Sequence, residues 1–220
     1  MRADGLVFDL DGTLWDTNAA CARAWNRVLR RHEIAFRELT AADLRGVAGL
    51  PHDEAVRSVL VGLDGAEQRL VSAATRDEDN RAVSQSGGIL FPGVREWIPR
   101  LGRDLPLMIV SNCQSGYIEA FLESSGLGTC FSDFECWGRT GRIKAWNLGD
   151  VVRRNGLTAP LFVGDTLGDL EAARECGVRF VHARYGFGRV VGADAAIDSF
   201  GELGSRVVTD ASAARPIEEL

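Results

Sequence analysis

Asp9 and Asp11 stand two apart at the end of a short apolar run, Leu6-Val7-Phe8-Asp9-Leu10-Asp11-Gly12-Thr13. Residues two apart share one face of a strand. At a strand end the chain can turn, setting one carboxylate into a site with a backbone carbonyl beside it. Two acids held that close repel, so one is protonated or a cation sits nearby. A hard cation with a preference for oxygen ligands, Mg2+, suits such a pair. The plainer alternative is an Asp- and Gly-rich surface loop after an edge strand.

Three more groups fall just after, or close to, the end of a strand-like run. Ser111-Asn112 follow Leu107-Met108-Ile109-Val110, and Asp165, Thr166 and Asp169 follow Leu161-Phe162-Val163-Gly164. Lys144 opens a helical stretch after Gly138-Arg139-Thr140-Gly141. Each has an ordinary reading taken singly. Ser111 and Asn112 suit helix caps, Asp165 an N-cap, Asp169 a solvated helix position, and Lys144 a surface cation. The combination is less ordinary, because the residue types occur in order after successive strands.

The elements that must position these groups are legible from periodicity. Strands are expected at 5–8, 105–110, 131–136, 161–163 and 179–182. Helices are expected at 116–125, 144–154 and 167–176. This alternation predicts right-handed crossovers and a mainly parallel sheet covered on both faces. Ligands bind such sheets at the carboxyl ends of the strands. The stretch from about 17 to 85 reads as helical throughout, near 17–31, 41–46, 53–61 and 65–83. Thr17 or Asn18 is the expected cap of its first helix and Thr40 of its second. Ser84-Gln85-Ser86-Gly87-Gly88 reads as the flexible exit. The tail from about Ala211 reads as loosely ordered.

Composition bounds the partners. A net charge of −6 argues against nucleic acid, and no apolar run approaches the roughly 20 residues that span a bilayer. No apolar secretion segment follows Met1. Five scattered cysteines without a C-x-x-C pair suit reduced thiols in a cytoplasmic protein. The five tryptophans suit packing better than base stacking. Neither nucleic acid nor a membrane is therefore expected as a partner, and the chain is expected to be a monomer or homodimer.

These motifs resemble those of the haloacid dehalogenase-like superfamily, most closely its phosphatase members such as phosphoglycolate phosphatases. Asp9-x-Asp11-Gly12-Thr13 resembles the first motif, Ser111-Asn112 the second, Lys144 the third and Gly164-Asp165-Thr166-x-x-Asp169 the fourth. The resemblance implies an α/β fold: a doubly wound, mainly parallel, Rossmann-like core from residues 1–15 and 88–220. An all-helical cap domain would be inserted at 16–87. It also implies a Mg2+-dependent phosphatase whose partner is a small phosphorylated metabolite. Asp9 would attack phosphorus and carry an aspartyl-phosphate, as carboxylates do in phosphoryl transfer. Asp11 would contact the metal through its carbonyl and act as general acid and base through its side chain. Asp165 would be a direct metal ligand and Asp169 would hold a metal-bound water. Lys144 would neutralise Asp9, while Ser111 and Asn112 would hold the phosphoryl oxygens.

The cap is expected to choose the substrate. Arg45 is a candidate for a second anionic group, against a helix-end arginine favouring the local dipole. His52 faces either the site or, as lone histidines more often do, the surface. Rival readings are a sugar phosphomutase of the β-phosphoglucomutase type, a metal-independent haloacid dehalogenase, and a non-catalytic binder. Asp11 argues against the dehalogenase, whose halide leaving group needs no proton.

Overall fold

A computed structural model describes residues 1–207 of the chain; the tail from about Ala211 lies outside the described residues. Leu6–Phe8 forms β1, buried at every residue, as expected of a strand with parallel neighbours on both edges. Trp15–Asp16 (β2) leads into four helices, α1 (Asn18–Arg31), α2 (Ala41–Arg45), α3 (His52–Val59) and α4 (Gly65–Ser86). Ile89–Leu90 (β3) returns the chain, pairing antiparallel with β2. The two crossings between the helical insert and the sheet are thereby held side by side.

Beyond the insert come α5 (Val94–Leu101), β4 (Leu107–Ser111), α6 (Tyr117–Ser125), β5 (Asp133–Cys136), α7 (Trp137–Thr140) and α8 (Lys144–Arg154). The chain continues through β6 (Leu161–Gly164), α9 (Leu167–Glu175), β7 (Arg179–Ala183), β8 (Ala195–Ile197) and α10 (Phe200–Arg206). The main sheet runs β5-β4-β1-β6-β7-β8, with every neighbouring pair parallel. Strand alternation splits its side chains between two cores. Leu6, Phe8, Leu107, Ile109, Leu161 and Val163 face one side, where they join α5, α6, α10 and the insert. Val7, Met108, Val110, Phe162 and Phe180 face the other, under α8 and α9. The sheet is doubly wound, as the strand–helix alternation predicts.

Within the insert, α1 packs along α4. Trp25, Val28, Leu29, Val56, Leu60, Val71 and Val83 belong to the same apolar cluster as the sheet. Asp64 caps α4 by accepting from the Ala66 and Glu67 N–H groups, each at 2.8 Å. Thr40 sits at the N-cap of α2, where its N–H donates to Asp43 at 2.8 Å. Several polar contacts tie insert to core. Asn112 donates to the Gly49 carbonyl at 2.8 Å, Asn80 to the Ser115 carbonyl at 2.9 Å, and Gln114 to Asn80 at 3.2 Å.

Three details depart from the sequence reading. The helix α4 runs through Ser84-Gln85 to Ser86, and the break falls on Gly87, at φ +65°. Thr17 precedes α1 but makes no cap hydrogen bond; its hydroxyl is used elsewhere, as described below. The short elements β2, β3, α5, α7, β8 and α10 had no periodic signal in the sequence reading. No helix among the described residues is long and apolar enough to cross a membrane.

Candidate active site

Three adjacent central strands deliver the acidic and hydroxyl groups. Asp9 follows β1, Ser111 ends β4, and Asp165 follows β6. The strand β1 lies between the other two, at the point where the chain switches from one half of the sheet to the other. The Asp9 N–H extends the ladder by donating to the Val163 carbonyl at 2.8 Å. Gly12 then turns the loop at φ +87°; a Cβ there would lie 2.3 Å from the Asp165 carboxylate. Opposite, the loop after β7 closes at Gly186, where a Cβ would lie 2.3 Å from the Gly12 carbonyl oxygen. That loop's Phe187 and Gly188 N–H groups donate to Asp165 Oδ2 at 2.7 and 3.3 Å.

Lys144, the first residue of α8, is buried rather than a surface cation. Its Nζ donates to Asp9 Oδ1 and to Asp169 Oδ1, each at 2.6 Å. Asp169 is fully buried, not solvated, and its second oxygen accepts from the Thr166 N–H and hydroxyl at 2.9 and 2.6 Å. Thr166, not Asp165, is the N-cap of α9, and the capping box it forms with Asp169 fixes the acid facing the lysine. Asp9, Asp165 and Asp169 each place a carboxylate oxygen within 4.8 Å of the others.

This cluster is short of positive charge. Burial pushes Asp9 up to about 7, with Lys144 opposing and Asp169 and Asp165 adding to the rise. Burial also lifts Asp165 to about 7, with Asp169 adding to it. Desolvation works against the charge on Lys144, but Asp169 and Asp9 hold its pKa above the usual lysine range. Three buried carboxylates against one ammonium, all offering oxygen, make a donor set suited to a hard divalent cation.

The Asp11 side chain turns away from this cluster. Its Oδ1 accepts from the Thr17 hydroxyl at 2.9 Å and from the Tyr117 hydroxyl at 3.2 Å. The two hydroxyls are themselves 2.7 Å apart. Burial and the Asp9 charge raise the Asp11 carboxyl to about 7, against the lowering effect of those two donors. Such a group can hold or release a proton near neutrality. Thr17 and Tyr117 were not among the sequence candidates; Thr17 reads there as a helix cap.

A cavity opens from Asp9 and Asp11 into the insert, lined also by Ser111, Asn112, His52 and Asp79. Ser111 is buried, and its Oγ accepts from the Cys113 N–H at 3.3 Å. Asn112 uses its amide N–H on Gly49, while its buried Oδ1 has no protein partner. Arg45 is not among the lining residues. Its guanidinium pairs with Asp16 at 2.9 Å and lies 5.3 Å from the centre of the Phe187 ring. His52 is buried and lines the cavity, so the commoner surface placement does not apply. Asp79 had no signal, because Arg76-Asp77-Glu78-Asp79-Asn80 reads as a solvated helical run.

A doubly wound sheet bearing an acid cluster at its carboxyl edge, under a helical insert, is the architecture of a large class of hydrolases. The family model for haloacid dehalogenase-like hydrolases matches residues 6–183, and the chain belongs to that family. It is 39% identical to a phosphoglycolate phosphatase from Synechococcus elongatus, covering 83% of this chain and 84% of that protein. It is 31% identical to one from Pectobacterium atrosepticum, covering 83% and 81%. A solved haloacid dehalogenase-like hydrolase from Streptococcus pneumoniae superposes with a TM-score of 0.79 at 20% identity, covering 92% of this chain and 97% of that one. That likeness bears on the fold alone.

Proposed function

We propose that the chain is a Mg2+-dependent phosphatase that hydrolyses a small phosphorylated metabolite through an aspartyl-phosphate on Asp9. The observation that carries this reading is the pairing of two carboxylates with unlike surroundings. Asp9 is held against Lys144 at 2.6 Å, while Asp11, two residues on, is held by two hydroxyls and raised to about 7. One is set to attack and the other to move a proton, a division of labour that environment imposes on neighbouring acids.

Asp9, Asp165 and the Asp11 carbonyl would hold Mg2+, with Asp169 supporting it through a bound water. The ion would supply charge neutralisation for the phosphoryl group. Lys144 keeps Asp9 oriented and offsets part of the negative charge. An Asp9 oxygen attacks phosphorus, the ester oxygen leaves, and Asp11 gives that oxygen its proton. Asp11, now a carboxylate, takes a proton from the water that attacks the aspartyl-phosphate, which releases phosphate and restores Asp9. Ser111 and neighbouring N–H groups hold the phosphoryl oxygens. Residues 16–87 act as a cap domain over the core of 1–15 and 88–220, excluding bulk water. The absence of Lys and Arg from the cavity lining among the described residues weighs against the phosphomutase alternative, which needs a second phosphate site.

The test is phosphate release by the purified chain from a panel of phosphate monoesters, with Mg2+ and with excess chelator. Turnover that disappears in chelator and returns with Mg2+ supports the reading. Undiminished turnover in chelator contradicts it.

A further inference from the structure

The far wall of the cavity is formed by Trp25, His52 and Asp79 of the insert. Asp79 is 4% exposed, and the Trp25 Nε1–H donates to its two oxygens at 3.1 and 2.9 Å. Arg76, which acts on His52 from α4, is tied to Asp53 and lies outside the lining. A carboxylate removed from water without a cation is destabilised. Burial accordingly lifts the Asp79 carboxyl to about 8.

His52 adds a second acceptor. Burial lowers its imidazole to about 4, so the ring is neutral at neutral pH. The Thr75 hydroxyl donates to the Val71 carbonyl at 2.7 Å, which leaves its oxygen to accept from His52 Nε2–H at 3.0 Å. This network assigns the ring proton to Nε2 and leaves Nδ1 as an acceptor. Nδ1 stands 3.8 Å from Asp79 Oδ2, beyond hydrogen-bond reach. His52 Nδ1 and the Asp79 carboxyl, both able to accept, therefore sit side by side in the cavity wall.

We propose that this wall binds an ammonium, and that the substrate is the phosphate ester of a small amino alcohol rather than of a hydroxy acid. The inference rests on the phosphatase reading and names its substrate class. An ammonium carries three donors and one positive charge, so it satisfies His52 Nδ1 and Asp79 together. An ammonium favours the charged form of Asp79, whereas a carboxylate on the leaving group, as in phosphoglycolate, disfavours it. The cavity is small, about 100 Å3, which favours a short leaving group.

The test measures kcat/KM of the full chain with Mg2+ on 2-aminoethyl phosphate, 2-hydroxyethyl phosphate, 2-phosphoglycolate and p-nitrophenyl phosphate. The amine ester is expected to exceed its hydroxyl counterpart by about tenfold or more, with phosphoglycolate the poorest. In Asp79→Asn the amine-to-hydroxyl ratio is expected to collapse toward unity. That ratio is read within one preparation, so a loss of folded protein divides out. Equal or better turnover of the hydroxyl or carboxylate ester by the unaltered chain overturns the inference. Turnover of p-nitrophenyl phosphate without amine preference defeats it alone; no turnover of any ester defeats the phosphatase reading with it.

Discussion

Lys144 and Asp169 are 25 residues apart in the chain, yet their side chains meet at 2.6 Å, and the same ammonium reaches Asp9 at 2.6 Å. Asp169 is in turn clamped by Thr166. The lysine is thus a fixed strut between the start of α9 and the acid at the end of β1.

Lys144→Met removes both contacts and leaves buried carboxylates facing one another. Breaking a buried pair in this way costs about 3–5 kcal/mol, and losing a charge-stabilising donor costs about a hundred- to a thousandfold in kcat. Urea denaturation and phosphate release check the two effects. Added Mg2+ is expected to raise the denaturation midpoint of this variant more than that of the unaltered chain.

Asp11→Asn retains a carbonyl oxygen to accept from Thr17 and Tyr117 but removes the proton that, in the proposed mechanism, Asp11 would give the leaving oxygen. For an alkyl phosphate, kcat/KM is expected to fall by about a hundred- to ten-thousandfold. For p-nitrophenyl phosphate, whose leaving group departs without a proton, the fall is expected to be far smaller. Equal losses on both esters rule out the acid role.

Gly12→Ala forces a side chain into a loop at φ +87°, with its Cβ 2.3 Å from the Asp165 carboxylate. The strained conformation alone costs about 1–3 kcal/mol, and displacement of Asp165 adds a loss of activity. A lower melting temperature together with weakened Mg2+ activation is the expected pair of results.

Asp79 makes stability depend on pH. Its folded pKa is raised, from 3.8 to about 8, so the folded chain binds the proton more tightly than the unfolded one. The penalty is absent below the unfolded value, and stability is lost as pH rises toward 8. Asp79→Asn carries no such penalty. Its stability relative to the unaltered chain is expected to rise between pH 5 and pH 8, as read by urea denaturation at each pH.

The acid cluster was legible because its members follow strand ends or open the helices after them, and parallel strands bring such positions to one edge. Asp9, Asp165, Asp169 and Lys144 come together for that reason. Tyr117 was not legible: it reaches Asp11 across 106 residues of chain, and nothing local to α6 marks that contact. Asp79 and His52 were hidden in a different way. Their burial depends on how α3 and α4 pack around Trp25, and a charged run or a lone histidine carries no trace of it. The strands β2 and β3, two residues each, are too short for alternation to reveal. The exit from α4 was placed too early because Ser84 and Gln85 are polar but do not break a helix, whereas Gly87 does.

The most direct test of the account is to quench the working enzyme rapidly and reduce it with borohydride, which converts an aspartyl-phosphate to homoserine. Peptide mass spectrometry then locates the change. Homoserine at residue 9 during turnover, and none in Asp9→Asn, is the predicted result. Turnover that leaves residue 9 unmodified, or that persists at full rate in Asp9→Asn, would contradict the covalent mechanism.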